Sequence, residues 1–217
     1  MEAWEQRFRT PVAWLPEWSP EAANRAVYAS NRSGSWQIHT LDVATGATRQ
    51  VTTDPVGLSD GVPTLDGEGV LWFEDETGDE AGRWLLQPFE GGGETRPFLE
   101  GVPHGWSDGL AQAPGLVVAA ISDREGFAVH VAIDGGPARQ LMRSSEWLGL
   151  GGNDGGGFLH GALSADGTLL CLEHAEHGDL VHPALRVVDP RTGETRGDLL
   201  DERMSLGSSC WSPIPGD

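Results

Sequence analysis

The stretch DVATGATR, residues 42–49, occurs again as DPRTGETR, residues 189–196. Asp, Thr, Gly, Thr and Arg match at a constant offset of 147 residues, from position 42 to position 189. Weaker versions of the second half are GGETR and GGPAR, at 92–96 and 135–139. A motif that recurs at intervals of about 40–50 residues indicates a repeat protein. The repeat glycines are Gly46, Gly93, Gly136 and Gly193.

A second motif recurs in step with the first. It is an apolar residue or Pro, then Ser or Thr, then a turn, then an apolar run. Between the two motifs each unit reads as short apolar or β-branched runs separated by Gly, Asp or Asn, which are the residues that hairpin turns require. The copies are WSPEAANRAVYAS (18–30), PTLDGEGVLWFE (63–74), LSADGTLLCLEH (163–174), WSPIPGD (211–217) and a degenerate AQAPGLVVAAIS (111–122).

Four-stranded units of this length are typical of a β-propeller. We therefore predict an all-β fold, a β-propeller fragment of about four four-stranded antiparallel blades plus the start of a fifth. An N-terminal segment, 1–17, precedes the propeller region, 18–217, and its residues 2–9 (EAWEQRFR) are the best helical candidate. The predicted blades are 18–57, 58–105, 106–152 and 153–205, and the fifth begins in 206–217.

The charge of the chain argues against two classes of partner. The formal net charge is −19, and all 14 basic residues are Arg. Such a surface repels phosphates and anionic headgroups, so we expect neither nucleic acid nor membrane as a partner. Acidity can instead recruit cationic groups such as peptide amines, although solubility explains it more simply.

Localisation is predicted from three features. The N-terminus lacks the pattern of a signal peptide, and no stretch approaches the ~20 apolar residues of a membrane helix. The two cysteines, Cys171 and Cys210, form no framework. We expect both to be reduced thiols in a cytoplasmic protein.

The pentapeptide GWSDG at 105–109 matches G-x-S-x-G, the turn that exposes the nucleophile of α/β-hydrolases. The pattern also occurs as GLSDG at 57–61, whereas an enzyme needs one nucleophile. A nucleophile elbow requires a helix after the serine, but Pro114 and Gly115 follow Ser107 within two turns. We predict that Ser107 and Ser59 lie in tight turns between blades and that no residue of this chain is catalytic.

Three further segments have the composition of a binding site. His174, His177 and His182 in EHAEHGDLVHP could ligate zinc, but a polar loop turning at Gly178–Asp179 is favoured, so no metal or other cofactor is predicted. The run GGNDGGG, 151–157, lacks the Lys-Ser/Thr of a P-loop and is predicted to connect blades. The acidic run EDETGDEAG, 74–82, lacks the order of a calcium loop and is predicted to be a hairpin tip.

The stretch WSPEAANRAVYASNRSG is similar to the TolB-like propeller repeat. The order of the later segments resembles the N-terminal propeller of bacterial prolyl oligopeptidase family serine peptidases, with the acylaminoacyl-peptidase-like branch as the nearest match. These segments are TLDGEGVLWFEDETGDEAGRWLLQPFEGG, LSADGTLLCLEHAEHGDLVHPALRVVDPRTG and WSPIPGD.

The resemblance implies a propeller that covers the active site of a C-terminal α/β-hydrolase domain and admits only short peptides. It also implies that this chain ends at the start of the fifth blade, without the hydrolase and its triad, and is inactive alone. The alternative is a stand-alone propeller-type binding module that closes by oligomerisation. In either case, we expect the open blade edges to favour self-association.

Overall fold

Sixteen β-strands and no helix occur in the part of the chain that the structure describes. The structure is a computed structural model, and the described residues are 10–151, 161–201, 203, 206 and 211. The first eight strands are β1 (Glu17–Ser19), β2 (Ala22–Ser30), β3 (Gln37–Asp42), β4 (Thr48–Gln50), β5 (Gly61–Pro63), β6 (Gly69–Asp75), β7 (Ala81–Pro88) and β8 (Arg96–Pro97). The other eight are β9 (Gly105–Ala113), β10 (Leu116–Asp123), β11 (Gly126–Ile133), β12 (Arg139–Ser144), β13 (Leu148–Leu150), β14 (Leu170–Asp179), β15 (His182–Val188) and β16 (Thr195–Leu199).

The strands pair with their sequence neighbours in four antiparallel groups of four, which are propeller blades. The first blade is β1 to β4, the second β5 to β8, the third β9 to β12 and the fourth β13 to β16. The second and third are also joined along one edge, because β7 pairs with the start of β9 at Ala81↔Trp106 and Gly82↔Gly105. The predicted all-β fold with four four-stranded antiparallel blades is confirmed.

The repeated motif at 42–49 and 189–196 contains the turn between the third and fourth strands of a blade. In the first blade the Asp42 carboxylate accepts the Thr45 amide at 2.7 Å, and the Gly46 amide donates to the Asp42 carbonyl at 2.8 Å. In the fourth blade the Asp189 carboxylate accepts a hydrogen bond from the Thr192 amide at 3.1 Å, and the Asp189 carbonyl accepts one from the Gly193 amide at 2.8 Å. An aspartate that satisfies its own turn in this way specifies the turn locally, so the motif can be read from sequence.

Three apolar clusters fill the three spaces between successive blades. Between the first and second blades, Ile38 and Val27 meet Val70, Trp72 and Leu85. Each cluster draws on the inner and middle strands, whereas β8 and β16 are exposed and β4 is at most half-buried. Stability therefore comes mainly from contacts between adjacent blades, as in other repeat folds. The cores of the other two interfaces are Val62, Leu71, Phe73, Trp84, Leu110, Ala119 and Ile121, and Val118, Val129, Leu148, Leu150, Leu170 and Leu172.

One predicted limit differs from the structure by more than one residue. The predicted third blade includes residues 148–150, but β13 pairs with β14 and is the innermost strand of the fourth blade. A three-residue strand carries too little alternation to be recognised before a glycine-rich run. Most of that run, with the helical candidate at 2–9, lies outside the described residues.

The chain returns over the fourth blade after β16. Leu206 donates its amide to the Pro183 carbonyl at 3.2 Å, and the Trp211 indole donates to the Ala162 carbonyl at 2.8 Å. Trp211 begins the predicted fifth unit, most of which lies outside the described residues. Within the described residues, no helix has the length and apolar character needed to cross a membrane.

Candidate ligand-binding cleft

A cleft of about 370 Å³ opens where the link between the first two blades meets the start of β9. It brings together both copies of the G-x-S-x-G pattern and part of the acidic run. Ser59 and Asp60 come from the first copy, and Trp106 and Ser107 come from the second. Asp75 and Glu80 come from the tip between β6 and β7. The remaining lining residues are Gly57, Leu58 and Phe73.

Ser107 lies within a strand. It pairs with Ile121 of β10, and the strand continues to Ala113, so no helix springs from the serine. The predicted tight turn at 105–109 is replaced by an irregularity of β9 that includes Gly109, whose φ is +125°. A β-bulge, like a tight turn, favours a glycine with a positive φ, but the strand continues beyond it.

The cleft lacks the partners of a serine nucleophile. None of the nine described residues that line it is His, Lys or Arg. The Ser107 hydroxyl oxygen is buried and has no hydrogen-bond partner within the described structure, whereas a nucleophile is activated by an adjacent base. Ser59 is exposed, with its hydroxyl 3.4 Å from the Asp60 carboxylate. That neither serine is catalytic stays a prediction, and this geometry supports it.

The acidic residues of the cleft differ in their surroundings. Burial raises the pKa of Asp60, the Ser59 hydroxyl opposes the rise, and the charge of Glu80 adds to it. Burial also acts on Asp75, but the amides of Glu80, Gly78 and Thr77 outweigh it and lower the pKa. Asp75 thus holds the tip between β6 and β7, residues 76–80, which lies inside the tip predicted at 74–82. The Asp60 carboxylate lines the cleft, where the Ser59 hydroxyl is its hydrogen-bond partner within the described residues.

Trp106 fixes one wall of the cleft. Its indole donates to the Asp79 carbonyl at 2.9 Å and so holds the β6–β7 tip against the third blade. About 39 % of Trp106 is exposed, and Phe73 lies buried behind the cleft, edge-on to Trp84. An aromatic wall beside carboxylates suits a cationic or hydroxyl-bearing ligand. Sequence reasoning missed this site because it interpreted each of the three segments as a local turn.

The histidine-rich segment is an ion-pair network with one buried imidazole. The Arg186 guanidinium binds Asp198 at 2.8 and 3.2 Å and Glu176 at 2.8 Å. The His174 Nε2 lies 3.8 Å from the Asp198 carboxylate, and its ring meets that of His177 at 5.6 Å. Burial, then the charge of Arg186, lowers the pKa of His174.

The three histidines suggested as zinc ligands are arranged along a hairpin. His174 lies in the body of β14, and His182 is the first residue of β15, paired with Asp179. The turn therefore falls at 180–181 and not at Gly178–Asp179 as predicted, because β14 continues through those residues. Among the described residues, no group of three or more His, Cys, Asp or Glu side chains is placed to hold a metal ion. Cys171 is buried, and Cys210 lies outside the described residues.

No family model and no curated protein matches the sequence. Solved structures do match. TolB from Acinetobacter baumannii is 15 % identical with a TM-score of 0.59, over 90 % of this chain and 44 % of TolB. A structure from a study of two prolyl endopeptidases is 11 % identical with a TM-score of 0.59, over 91 % of this chain and 29 % of the other.

The β-propeller domain of the Trilobed protease from Pyrococcus furiosus is 14 % identical with a TM-score of 0.56, over 85 % of this chain and 57 % of that domain. The fold is that of a β-propeller. At such low identity the likeness shows the fold alone. The chain spans between 29 % and 57 % of the length of these three structures.

Proposed function

We propose that the chain is the non-catalytic propeller portion of a serine peptidase of the prolyl oligopeptidase and acylaminoacyl-peptidase type. In this role it restricts access of short peptides to an α/β-hydrolase domain that carries the catalytic triad. The observation that carries the proposal is the match of four consecutive blades, over 91 % of the chain, to a structure from work on prolyl endopeptidases. The extended chain at Ser107, without a base beside it, supports a role that does not include bond cleavage.

The first test is activity. The purified chain is assayed with aminoacyl- and peptidyl-nitroanilides, alongside Ser107→Ala and Ser59→Ala. We expect no turnover by any of the three proteins. Hydrolysis by the wild-type chain that disappears in Ser107→Ala would show that the cleft is an active site.

The second test addresses gating. The open reading frame that encodes this chain is sequenced beyond codon 217 and searched for a G-x-S-x-G between a strand and a helix. If a hydrolase domain is found, the whole polypeptide is compared with one lacking the blades on substrates of increasing length. Removing the blades is expected to raise cleavage of long polypeptides relative to dipeptide substrates, and equal size selectivity would rule out gating.

A second candidate function is a propeller-type binding module that closes by oligomerisation. The observation that favours it is the position of the exposed apolar side chains. Of the eleven large hydrophobic residues that are exposed in the described structure, nine lie in or beside the first and fourth blades. These are Val12, Trp14, Leu15, Trp18, Val43, Leu180, Val181, Leu199 and Leu200.

A further inference from the structure

The proposed gating role makes no use of the cleft between the second and third blades. Its volume of about 370 Å³ lies in the range of small-molecule sites. Of the nine described residues that line it, Asp60, Asp75 and Glu80 carry carboxylates and none carries a positive charge. A concave site with charges of one sign attracts ligands of the opposite sign. The cleft therefore favours a cation.

Two of the three carboxylates are available to a ligand. Asp75 accepts the amides of Gly78 at 2.7 Å and Glu80 at 3.0 Å, so its charge is offset by the tip itself. Asp60 and Glu80 take part in none of the ion pairs between described residues. Burial raises the pKa of Asp60, and the negative charge of Glu80 adds to the rise, although the Ser59 hydroxyl opposes it. A cation close to both carboxylates would relieve this repulsion.

The surroundings favour an organic cation over a metal ion. Among the described residues, no three His, Cys, Asp or Glu side chains are placed to hold a metal, so the carboxylates of the cleft are not arranged to share one. Trp106 instead forms an aromatic wall, fixed by the hydrogen bond from its indole to the Asp79 carbonyl at 2.9 Å. An ammonium group is attracted to the face of a tryptophan ring, and an apolar body attached to it packs on the same ring.

The Ser107 side chain is a second and independent indication of a ligand. Ser107 lines the cleft and pairs with Ile121, which belongs to the apolar cluster between the second and third blades. Its hydroxyl oxygen is buried and has no hydrogen-bond partner within the described structure. Buried hydroxyls are normally hydrogen-bonded, so this oxygen has the capacity to accept a donor from a ligand. The residue as a whole is half-buried, and a serine hydroxyl turns about a single bond, so the oxygen can turn towards the cleft.

We propose that the cleft binds a small organic ammonium ion, a primary amine carried on an apolar body. A primary ammonium group has three donors and no acceptor, which suits the acceptors of Asp60, Glu80 and Ser107. The net charge of −19 attracts cations to the whole surface, whereas the cleft adds an aromatic wall and a buried hydroxyl. The same group occurs on free amines and on lysine side chains, and the test separates these two sources. The proposal does not rest on the gating role.

The test is an NMR titration of the whole chain at about 150 mM salt, which screens the diffuse attraction of the net charge. The reporter is the Trp106 indole N–H signal, identified as the one lost in Trp106→Phe. Benzylamine, which is protonated near neutral pH, should shift it with a dissociation constant on the order of 1 mM, as expected of so small a ligand. Benzyl alcohol, its neutral counterpart, should cause no saturable shift. Nα-acetyl-lysine methylamide presents a lysine side chain, and the tighter of the two amines identifies the source.

Three variants and a matched control test the residues of the cleft. Asp60→Asn removes a partly buried charge and should raise the dissociation constant of benzylamine at least about tenfold. Glu80→Gln, at an exposed position, should raise it about threefold, and so should Ser107→Ala, which removes one acceptor. Glu125→Gln makes the same change of charge on the exposed tip between β10 and β11, and it should leave the constant within about twofold of the wild type.

Four results would overturn the proposal. They are an equal shift with benzyl alcohol, no saturable shift with either amine, displacement of benzylamine by calcium chloride, and an Asp60→Asn variant that binds as tightly as Glu125→Gln. The melting temperatures of the variants are compared first, and if Asp60→Asn does not fold, an unaffected Glu80→Gln counts in its place. The nitroanilide and size-selectivity assays do not depend on this binding, so this proposal and the peptidase proposal can fail separately.

Discussion

Gln112 is expected to be the strongest single polar link between the second and third blades. It lies in β9 and is 6 % exposed. Its amide nitrogen donates to the Pro63 carbonyl at 3.1 Å, and its amide oxygen accepts the Leu65 amide at 3.2 Å. One side chain thus holds the inner strand and the following turn of the neighbouring blade.

Replacing Gln112 by Leu keeps the volume and removes both bonds. The Pro63 end is buried, and leaving a buried polar group unsatisfied costs about 1–3 kcal/mol. The Leu65 amide is only partly buried, so losing its hydrogen bond to Gln112 costs about 0.5–1.5 kcal/mol. We therefore expect Gln112→Leu to lower the free energy of unfolding by about 2–4 kcal/mol, on the assumption that the two losses add.

The assay is urea unfolding followed by tryptophan fluorescence. With a slope of about 2–3 kcal/mol/M, the midpoint should fall by about 1 M. Gln140→Leu, on the exposed strand β12, is the matched control and should stay within about 0.5 kcal/mol of the wild type. If Gln112→Leu unfolds with the control, the inner-strand bonds do not contribute to blade packing and the reasoning fails.

Three further changes follow from the structure. Thr52→Val should lower the free energy of unfolding by about 1–3 kcal/mol, because the buried Thr52 hydroxyl donates to the Gln37 side chain at 2.8 Å and accepts a hydrogen bond from the Ile38 amide at 2.9 Å. Thr53→Val, at an exposed position, is its control in the same urea assay. Burial and then the charge of Arg143 lower the pKa of His130, and the charge of Asp123 opposes them. As the pH falls below about 6.5, His130 is therefore protonated in the unfolded chain before it is protonated in the folded chain. Stability should drop between pH 7 and 5, and His130→Leu should reduce that slope relative to exposed His104→Leu. Gly109→Ala should lower the melting temperature by several degrees, since φ is +125° and an added Cβ would lie 2.9 Å from Leu150; Gly197→Ala, with open space around it, should not.

The blades could be predicted from sequence because their signals are local. The turn at 42–47 is specified by Asp42, Thr45 and Gly46, which are joined by hydrogen bonds between residues at most four positions apart. Long buried strands such as β10 and β11 are visible in the sequence as eight-residue stretches made up mostly of apolar residues. Each of these features depends on a few neighbouring residues, so one sequence contains all that is needed.

The cleft and the arginine contacts could not be predicted in that way. Asp60 and Trp106 meet because the β6–β7 tip folds onto the start of β9, a matter of how one blade packs on the next. Arg49 and Arg139 are visible as part of the repeat, but their hydrogen bonds to the Phe89 and Arg191 carbonyls of the next blade depend on how the blades pack. β13 was missed for a related reason, since three residues acquire strand structure only through their pairing with β14.

The two G-x-S-x-G patterns show why a motif match can report packing rather than chemistry. Their last glycines, Gly61 and Gly109, occupy the same place in the pattern and contact a neighbouring blade. A Cβ on Gly61 would lie 2.8 Å from the Ile38 side chain of the first blade, and one on Gly109 would lie 2.9 Å from Leu150 of the fourth. A nucleophile elbow needs glycine for the same steric reason, close approach of main chain to its surroundings. Blade packing therefore accounts for the last glycine of each pattern, and that neither serine is catalytic stays a prediction.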